Sequence, residues 1–353
     1  MFLHILETIL NCLMSNWEVK NMKRRTFIQS IGAASSTLPF AGCSVIPGRK
    51  HKHYEPRGEM PKRTLGKTGI EVSVLGFGSH LKKELIADPV SRDRMIKAGF
   101  DGGINIFDVY EEGFRQFKPM GMSLRGIRQK AVVSLCFELS TDKMQGELDF
   151  ALESFETDYI DLYRLYSVDD DRFAILEKNK KAGKIRAIGV VTHDEPTMMK
   201  HLDRYGDSLD YVMIIYNFHH NSGFSSKNYP PNDYSALIPR CERMNLGILG
   251  IKPMGSDAMV KLAAEKGFFK NKKASIAQAM LRHVYAAREI DSTMPAMNTM
   301  DEVMTNLASA YAPALSPHEK GMLDNLSSVA ASTKGAYLPD TYKWLENWAT
   351  RMV

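Results

Sequence analysis

Asp108 closes the apolar run Ile104-Asn105-Ile106-Phe107-Asp108, and an acid at the end of a buried strand is placed to hold a cation or to take part in proton transfer. A second run, Tyr159 to Leu165, leads into Tyr166. On the two-residue period of a strand, Leu162, Arg164 and Tyr166 share one face, so a Tyr166 directed inward brings Arg164 inward with it. A buried guanidinium needs a carboxylate partner, for which Asp108 is the candidate, and Tyr166 above that pair is then a phenol available as a general acid. Asp108, Arg164 and Tyr166 are therefore the candidate catalytic set. His193, His219 and His220 carry metal-binding side chains, but adjacent histidines point apart in extended chain and no helical histidine spacing is present, so no metal site is assigned. Asp169-Asp170-Asp171 reads as the acidic start of a helix rather than as a cation site.

These residues need a scaffold that brings strand ends together. Eight short apolar or β-branched runs recur along the chain: Val72 to Gly78, Ile104 to Asp108, Ala131 to Cys136, Tyr159 to Leu165, Ile185 to Val191, Tyr211 to Tyr216, Gly247 to Lys252 and Ile290 to Pro295. The intervals between them hold one helix each, including Pro89 to Gly99, Thr141 to Glu156 with Thr141 as N-cap, Phe173 to Ala182 and Ala274 to Ala287. That rhythm predicts an α/β fold, a (β/α)8 TIM barrel, with extra C-terminal helices at Ser316 to Ser328 and Tyr342 to Met352. In such a barrel the chemistry gathers at the carboxyl ends of the strands.

Several stretches carry a resemblance to a known family. Pro61 to Gly78 (PKRTLGKTGIEVSVLGFG) is similar to the opening of aldo-keto reductases, an N-terminal β-hairpin followed by the first strand. Gly102-Gly103-Ile104-Asn105-Ile106-Phe107-Asp108, Asp158 to Tyr163, Gly183 to Val190 and Lys252-Pro253-Met254-Gly255 resemble successive landmarks in that family's order. The resemblance implies hydride transfer from NADP(H) to a carbonyl substrate, with a tyrosine acid assisted by a lysine, an aspartate and a histidine. Asp108 matches the aspartate. Glu112 stands where the tyrosine is expected, Phe137 in place of the lysine and Tyr166 in place of the histidine. For the cofactor, the resemblance implies contacts from Gly78, Ser79, Thr192, His193, Tyr216, Lys252 and Asn306: Tyr216 against the nicotinamide, Thr192-His193 near the carboxamide, Lys252 on the pyrophosphate and Asn306 on the adenine. Met213 replaces a glutamine, and Asn298 replaces a base expected beside the 2′-phosphate.

Ahead of this region, Lys23-Arg24-Arg25-Thr26-Phe27-Ile28-Gln29 and the apolar stretch Ile31 to Ala41 resemble a twin-arginine export signal, with Met22 as a natural start. Phe40-Ala41-Gly42-Cys43 resembles a lipobox, so Cys43 is the residue for lipid attachment to a membrane. The expected organisation is a signal over 1–43, a polar linker over 44–60 and a barrel over 61–353. The implied location is outside the cytoplasm, periplasmic or lipid-anchored, and the implied partners are the export machinery and a small-molecule substrate. Without residues 1–43 the basic residues number 42 and the acidic ones 39, a net charge of +3 that suggests no nucleic acid partner. Cys136 and Cys241 read as buried small hydrophobes. Two other functions fit the same sequence: a barrel that binds a carbohydrate or other small ligand without redox chemistry, and a non-redox enzyme using Asp108 with Tyr166 or His193.

Overall fold

The computed structural model describes residues 58–78, 88–109, 113–137, 140–166, 168–219, 232–255, 257–271 and 273–332. The export signal with Met22 and Cys43, most of the 44–60 linker, Ser79, Glu112, His220, the loop around Tyr229 and the helix expected at Tyr342 to Met352 lie outside the described residues.

A hairpin opens the described chain, with β1 (Lys62–Thr64) and β2 (Glu71–Ser73) antiparallel. Parallel units follow: α1 (Pro89–Asp101), β3 (Ile106–Val109), α2 (Gly113–Leu124), β4 (Val132–Phe137), α3 (Met144–Ser154), β5 (Ile160–Leu165), α4 (Asp170–Lys181), β6 (Ile185–Val191) and α5 (Glu195–Tyr205). The series ends with β7 (Tyr211–Ile215), α6 (Leu237–Arg243), β8 (Gly247–Ile251), α7 (Asp257–Glu265), α8 (Lys273–Ala286), β9 (Ser292–Met294), α9 (Met300–Tyr311) and the extra helix α10 (Pro317–Ser332). Strands β3 to β9 form one parallel sheet in sequence order.

The eighth stave is residues 74–78, bridged to both ends of that sheet. Phe77 N–H donates to Ile106 O and Asp108 N–H to Phe77 O, while Gly76 N–H donates to Thr293 O and Gly78 N–H to Pro295 O, all at 2.8–3.0 Å. Leu75 pairs with Thr293 and Phe77 with Phe107, which closes the (β/α)8 barrel. The run predicted as one strand, Val72 to Gly78, is thus shared between the hairpin and the barrel wall.

The amino ends of the strands are pinned by side chains that accept a neighbouring strand's amide. Asn105 Oδ1 accepts from Ser73 N–H, Asp161 Oδ2 from Val133 N–H, Asp210 Oδ2 from Ile188 N–H and Asp291 Oδ2 from Ile248 N–H, at 2.7–3.0 Å. A one-residue slip would turn every interior side chain outward, so these bonds hold the register that builds the site. Arg63 ties the hairpin beneath the barrel, donating to the carbonyls of Tyr285, Ala287 and Ile290.

Burial pushes the Asp291 carboxyl up to about 6, against the opposing pull of the Ile248 amide and Arg63. A carboxyl with a folded pKa above its unfolded value of about 3.9 adds stability below that value, and the contribution is lost as pH rises through 6. Asp291→Asn keeps an acceptor for Ile248 but cannot ionise, so the variant should lose less melting temperature than the wild type between pH 4 and 7, roughly the window of that loss. Identical pH slopes in the two proteins would clear Asp291 of this role.

The helix starts are partly as expected. Asp169 caps α4 by accepting from Arg172 N–H, with Asp170 and Asp171 in the first turn, as the acidic run predicts. Thr141 is not an N-cap: a 3-10 turn over Thr141–Lys143 precedes α3, and the Thr141 hydroxyl accepts from Arg172 Nε instead.

Candidate active site at the carboxyl ends of the strands

Register places Asp108 beside Ser134 and Cys136 beside Arg164 across β3, β4 and β5. All four side chains are buried in the barrel. Arg164 Nη1 donates to Asp108 Oδ1 at 2.6 Å and Nη2 to Oδ2 at 3.1 Å, a bidentate pair. Ser134 completes it, accepting from Arg164 Nη1 at 2.9 Å and donating to Asp108 Oδ1 at 2.7 Å. Burial alone would lower the Arg164 pKa, but the Asp108 carboxylate against it raises it overall, so the guanidinium stays charged. Two charges held this way in a low-dielectric interior are oriented rigidly, and neither can be removed alone without stranding the other.

Sequence reasoning missed three neighbours of this pair. Ser134 and Cys136 share the interior face of β4, so Phe137, read as standing in the lysine's place, is corrected: its ring faces outward and stacks on Tyr163 at 3.9 Å. Cys136 takes the interior position next to Arg164. Tyr211, at the start of β7, is fully buried, and its hydroxyl has no hydrogen-bond partner among the described residues. Burial raises its pKa well above the usual range while Arg164 opposes the shift, so it remains a protonated donor.

The Tyr211 ring occupies the space left by Gly189: a Cβ there would lie 2.5 Å from Tyr211 Cζ. Gly189→Ala should therefore destabilise the barrel by about 1–3 kcal/mol through overpacking, and the cost should largely vanish in a Tyr211→Leu background. Chemical denaturation of the two pairs checks this, and an equal cost in both backgrounds would contradict the contact.

Above the pair, Tyr166 lies at the meeting of the barrel interior and a second apolar cluster built by Phe218, α7, α8 and α10. Its ring meets His193 edge-on at 6.0 Å between centroids. His193 is buried, and burial, with Lys252 as a second cause, holds its pKa well below 6.5, so the imidazole is neutral at neutral pH. The neighbouring Thr192 hydroxyl donates to Asp194 O at 2.9 Å. Lys252 follows β8 with φ +53°, a left-handed conformation that costs a non-glycine residue about 1–2 kcal/mol. Asn217 supports it, donating from Nδ2 to Lys252 O at 3.0 Å and accepting from His219 N–H at 2.9 Å.

Gly78 ends the closing stave where a Cβ would lie 2.7 Å from Pro295 O, so only glycine fits. Asn306 is buried on α9. Tyr216 is a correction. Its side chain lies outside the barrel, stacked on Tyr234 and on His283 of α8 at 6.2 Å each, with burial and Glu289 raising its pKa to about 12. Counting from interior Tyr211 and Met213, position 216 falls on the opposite face. His219 is bound through Nδ1 to Ser327 of α10 at 2.7 Å. Among the described residues no group of three or more His, Cys, Asp or Glu side chains could hold a metal ion.

The profile of the Aldo/keto reductase family matches residues 75–328, most of the chain and the whole barrel wall. The chain belongs to the aldo/keto reductase family. Among curated proteins, the chain is 24% identical over 288 residues to L-galactose dehydrogenase of Arabidopsis thaliana, covering 70% of this chain and 87% of that protein. It is 25% identical over 165 residues to 6-dehydroglucose reductase of Novosphingobium aromaticivorans, covering 39% of this chain and 54% of that one. In structure it is similar to the holo form of an aldo-keto reductase from Bacillus halodurans, with a TM-score of 0.61 at 18% identity over 76% of this chain and 96% of that chain. It is also similar to an aldo-keto reductase from Klebsiella pneumoniae in complex with NADPH, with a TM-score of 0.58 at 20% identity and the same coverage of both chains.

Proposed function

We propose that this aldo/keto reductase reduces the carbonyl group of a small sugar-like substrate at the expense of NADP(H), with Tyr166 as proton donor and the Asp108–Arg164 pair as its buried charged support. The observation that carries the proposal is the bidentate pair, directed into the barrel one strand step below Tyr166. The family's lysine is absent, and Arg164 on the next strand supplies a cation against the retained aspartate. Two residues of strand span about 7 Å, close enough for the pair's field to act on the Tyr166 hydroxyl in a dry interior. The sugar chemistry in the names of two relatives supports the substrate class, and the NADPH-bound neighbour supports the cofactor.

The residues fit a dinucleotide in part. Lys252 and the buried carboxamide of Asn306 would hold its polar groups, Thr192 and His193 its carboxamide end, and Gly78 leaves the wall open to close approach. At the place expected for a base beside the 2′-phosphate, Glu302 instead accepts from Asn298 N–H at 2.6 Å, so an acid stands there. A bound nucleotide would supply a hydride to the carbonyl carbon. The protein's own part is to deliver the Tyr166 proton to the carbonyl oxygen and to keep His193 neutral beside it, so that no second cation competes with Arg164. Export by the twin-arginine route and acylation at Cys43 belong to the same proposal and rest on the sequence of residues 23–43.

A second reading, a barrel that binds a carbohydrate without redox chemistry, draws on the loss of the family's lysine and histidine. Titration with NADPH and NADH, followed by nicotinamide fluorescence, separates the two. Saturable enhancement supports the reductase, and no change up to about millimolar nucleotide, the weak end of ordinary affinity, leaves the binding protein.

A further inference from the structure

Among the described residues, no carboxylate pairs with a buried cation that lies between the first turns of α1 and α2. Arg92, in the N-terminal part of α1, is 1% exposed. Its Nη2 donates to Gln116 Oε1 at 2.7 Å, a neutral acceptor on the first turn of α2. Nε and Nη1 are enclosed and have no hydrogen-bond partner among the described residues. Neither helix has an acid in its first turn. On α1 the nearby carboxylates are engaged elsewhere: Asp88 accepts from Ser91 N–H and faces Arg94, and Asp93 pairs with Lys97 at 2.8 Å. Burial brings the Arg92 guanidinium down to about 10 with no carboxylate opposing the shift, so it remains charged at neutral pH.

The partner side chain sits where α2 begins, and the first turn of a helix adds unpaired amides and the positive end of its dipole. Two positive features therefore adjoin in a dry place, an arrangement that is costly by itself and favourable around an anion. The place is at the rim of the catalytic face, because α2 starts four residues after β3 delivers Asp108 and Val109. A planar guanidinium with unmatched N–H groups suits the oxygens of a carboxylate or phosphate.

We propose that Arg92, with the first turn of α2, is a binding site for an oxoanion, a carboxylate or phosphate group, at the rim of the carboxyl face. The site is independent of the redox reading, and its test needs no nucleotide. Thermal unfolding of the full chain is measured in inorganic phosphate, D-glucuronate, D-glucose and chloride, the salts at matched ionic strength. At least one oxoanion should raise the melting temperature by several degrees over chloride. Glucuronate acting where glucose does not would assign a carboxylate on the substrate, and phosphate alone would assign a free ion. Arg92→Met should lose the response while melting in chloride at or above the wild-type temperature, because the uncompensated charge is gone. Arg92→Lys, which keeps the charge without the planar fork, should retain only part of it. An equal response in Arg92→Met, or no oxoanion response in the wild type, would overturn the proposal. So would an Arg92→Met protein several degrees less stable than wild type in chloride, since that would show the guanidinium neutralised from within the chain.

Discussion

Arg164→Met should lower the stability of this aldo/keto reductase by about 3–5 kcal/mol, the usual cost of stranding one member of a buried ion pair. The loss is large because the Asp108 carboxyl would stay buried beside the Ser134 hydroxyl with no guanidinium against it. Asp108→Leu should cost a similar amount by leaving Arg164 uncompensated. The double variant Asp108→Leu/Arg164→Met, apolar and close in volume, should recover most of the loss, since a well-packed apolar replacement of a buried pair is often neutral. Urea denaturation of the four proteins gives the coupling directly. Additive single effects would show that the two side chains do not depend on each other, contrary to the bidentate geometry. Recovery of stability without recovery of carbonyl reduction would show that the pair is kept for chemistry.

Tyr166→Phe should reduce turnover by about 10²–10⁴, or roughly 3–5 kcal/mol of transition-state stabilisation, because it removes only the proposed proton donor. The ring and its edge contact with His193 remain, so fold and nucleotide affinity should change little. The informative reading is therefore a fall in kcat at nearly constant nucleotide Kd. An unchanged kcat would clear Tyr166, and the protonated Tyr211 beside Arg164, without a hydrogen-bond partner among the described residues, would be the next phenol to test.

The contrast between Arg164 and Tyr216 shows what the sequence could reveal. In β5 Arg164 lies two residues before Tyr166, so a Tyr166 directed inward carries Arg164 inward, where burial permits it only toward a partner. From that one anchor the pairing of Arg164 with Asp108 follows. β7 and β4 lack such an anchor. Both are buried on both faces, as parallel barrel strands are, so neither shows the alternation that would mark an inside, and Tyr216 and Phe137 were assigned to the wrong face. A lone Ser134 two residues before Cys136 was the available signal for β4, because a polar side chain in a buried run needs a partner.

The barrel was legible for a different reason: its βα rhythm and hairpin depend on spacing rather than on facing. The closing stave was legible as a strand but not as a division of labour, since only contacts with Thr293 and Phe107 show where hairpin ends and wall begins. Tyr211 was unreadable, because its place near Arg164 depends on the missing side chain of Gly189 on the intervening strand. Arg92 was equally hidden, since nothing in its neighbourhood of sequence marks it as buried or as lacking an acid.

The most direct test of hydride transfer supported by a relocated cation is a single-turnover experiment. Protein loaded with NADPH is mixed with excess sugar aldehyde, and nicotinamide absorbance is followed with time. The account predicts that one equivalent of reduced nucleotide is consumed, with the decay slowed in Tyr166→Phe. Nucleotide that stays bound and reduced in the wild type, across a panel of aldoses and ketoses, would contradict it.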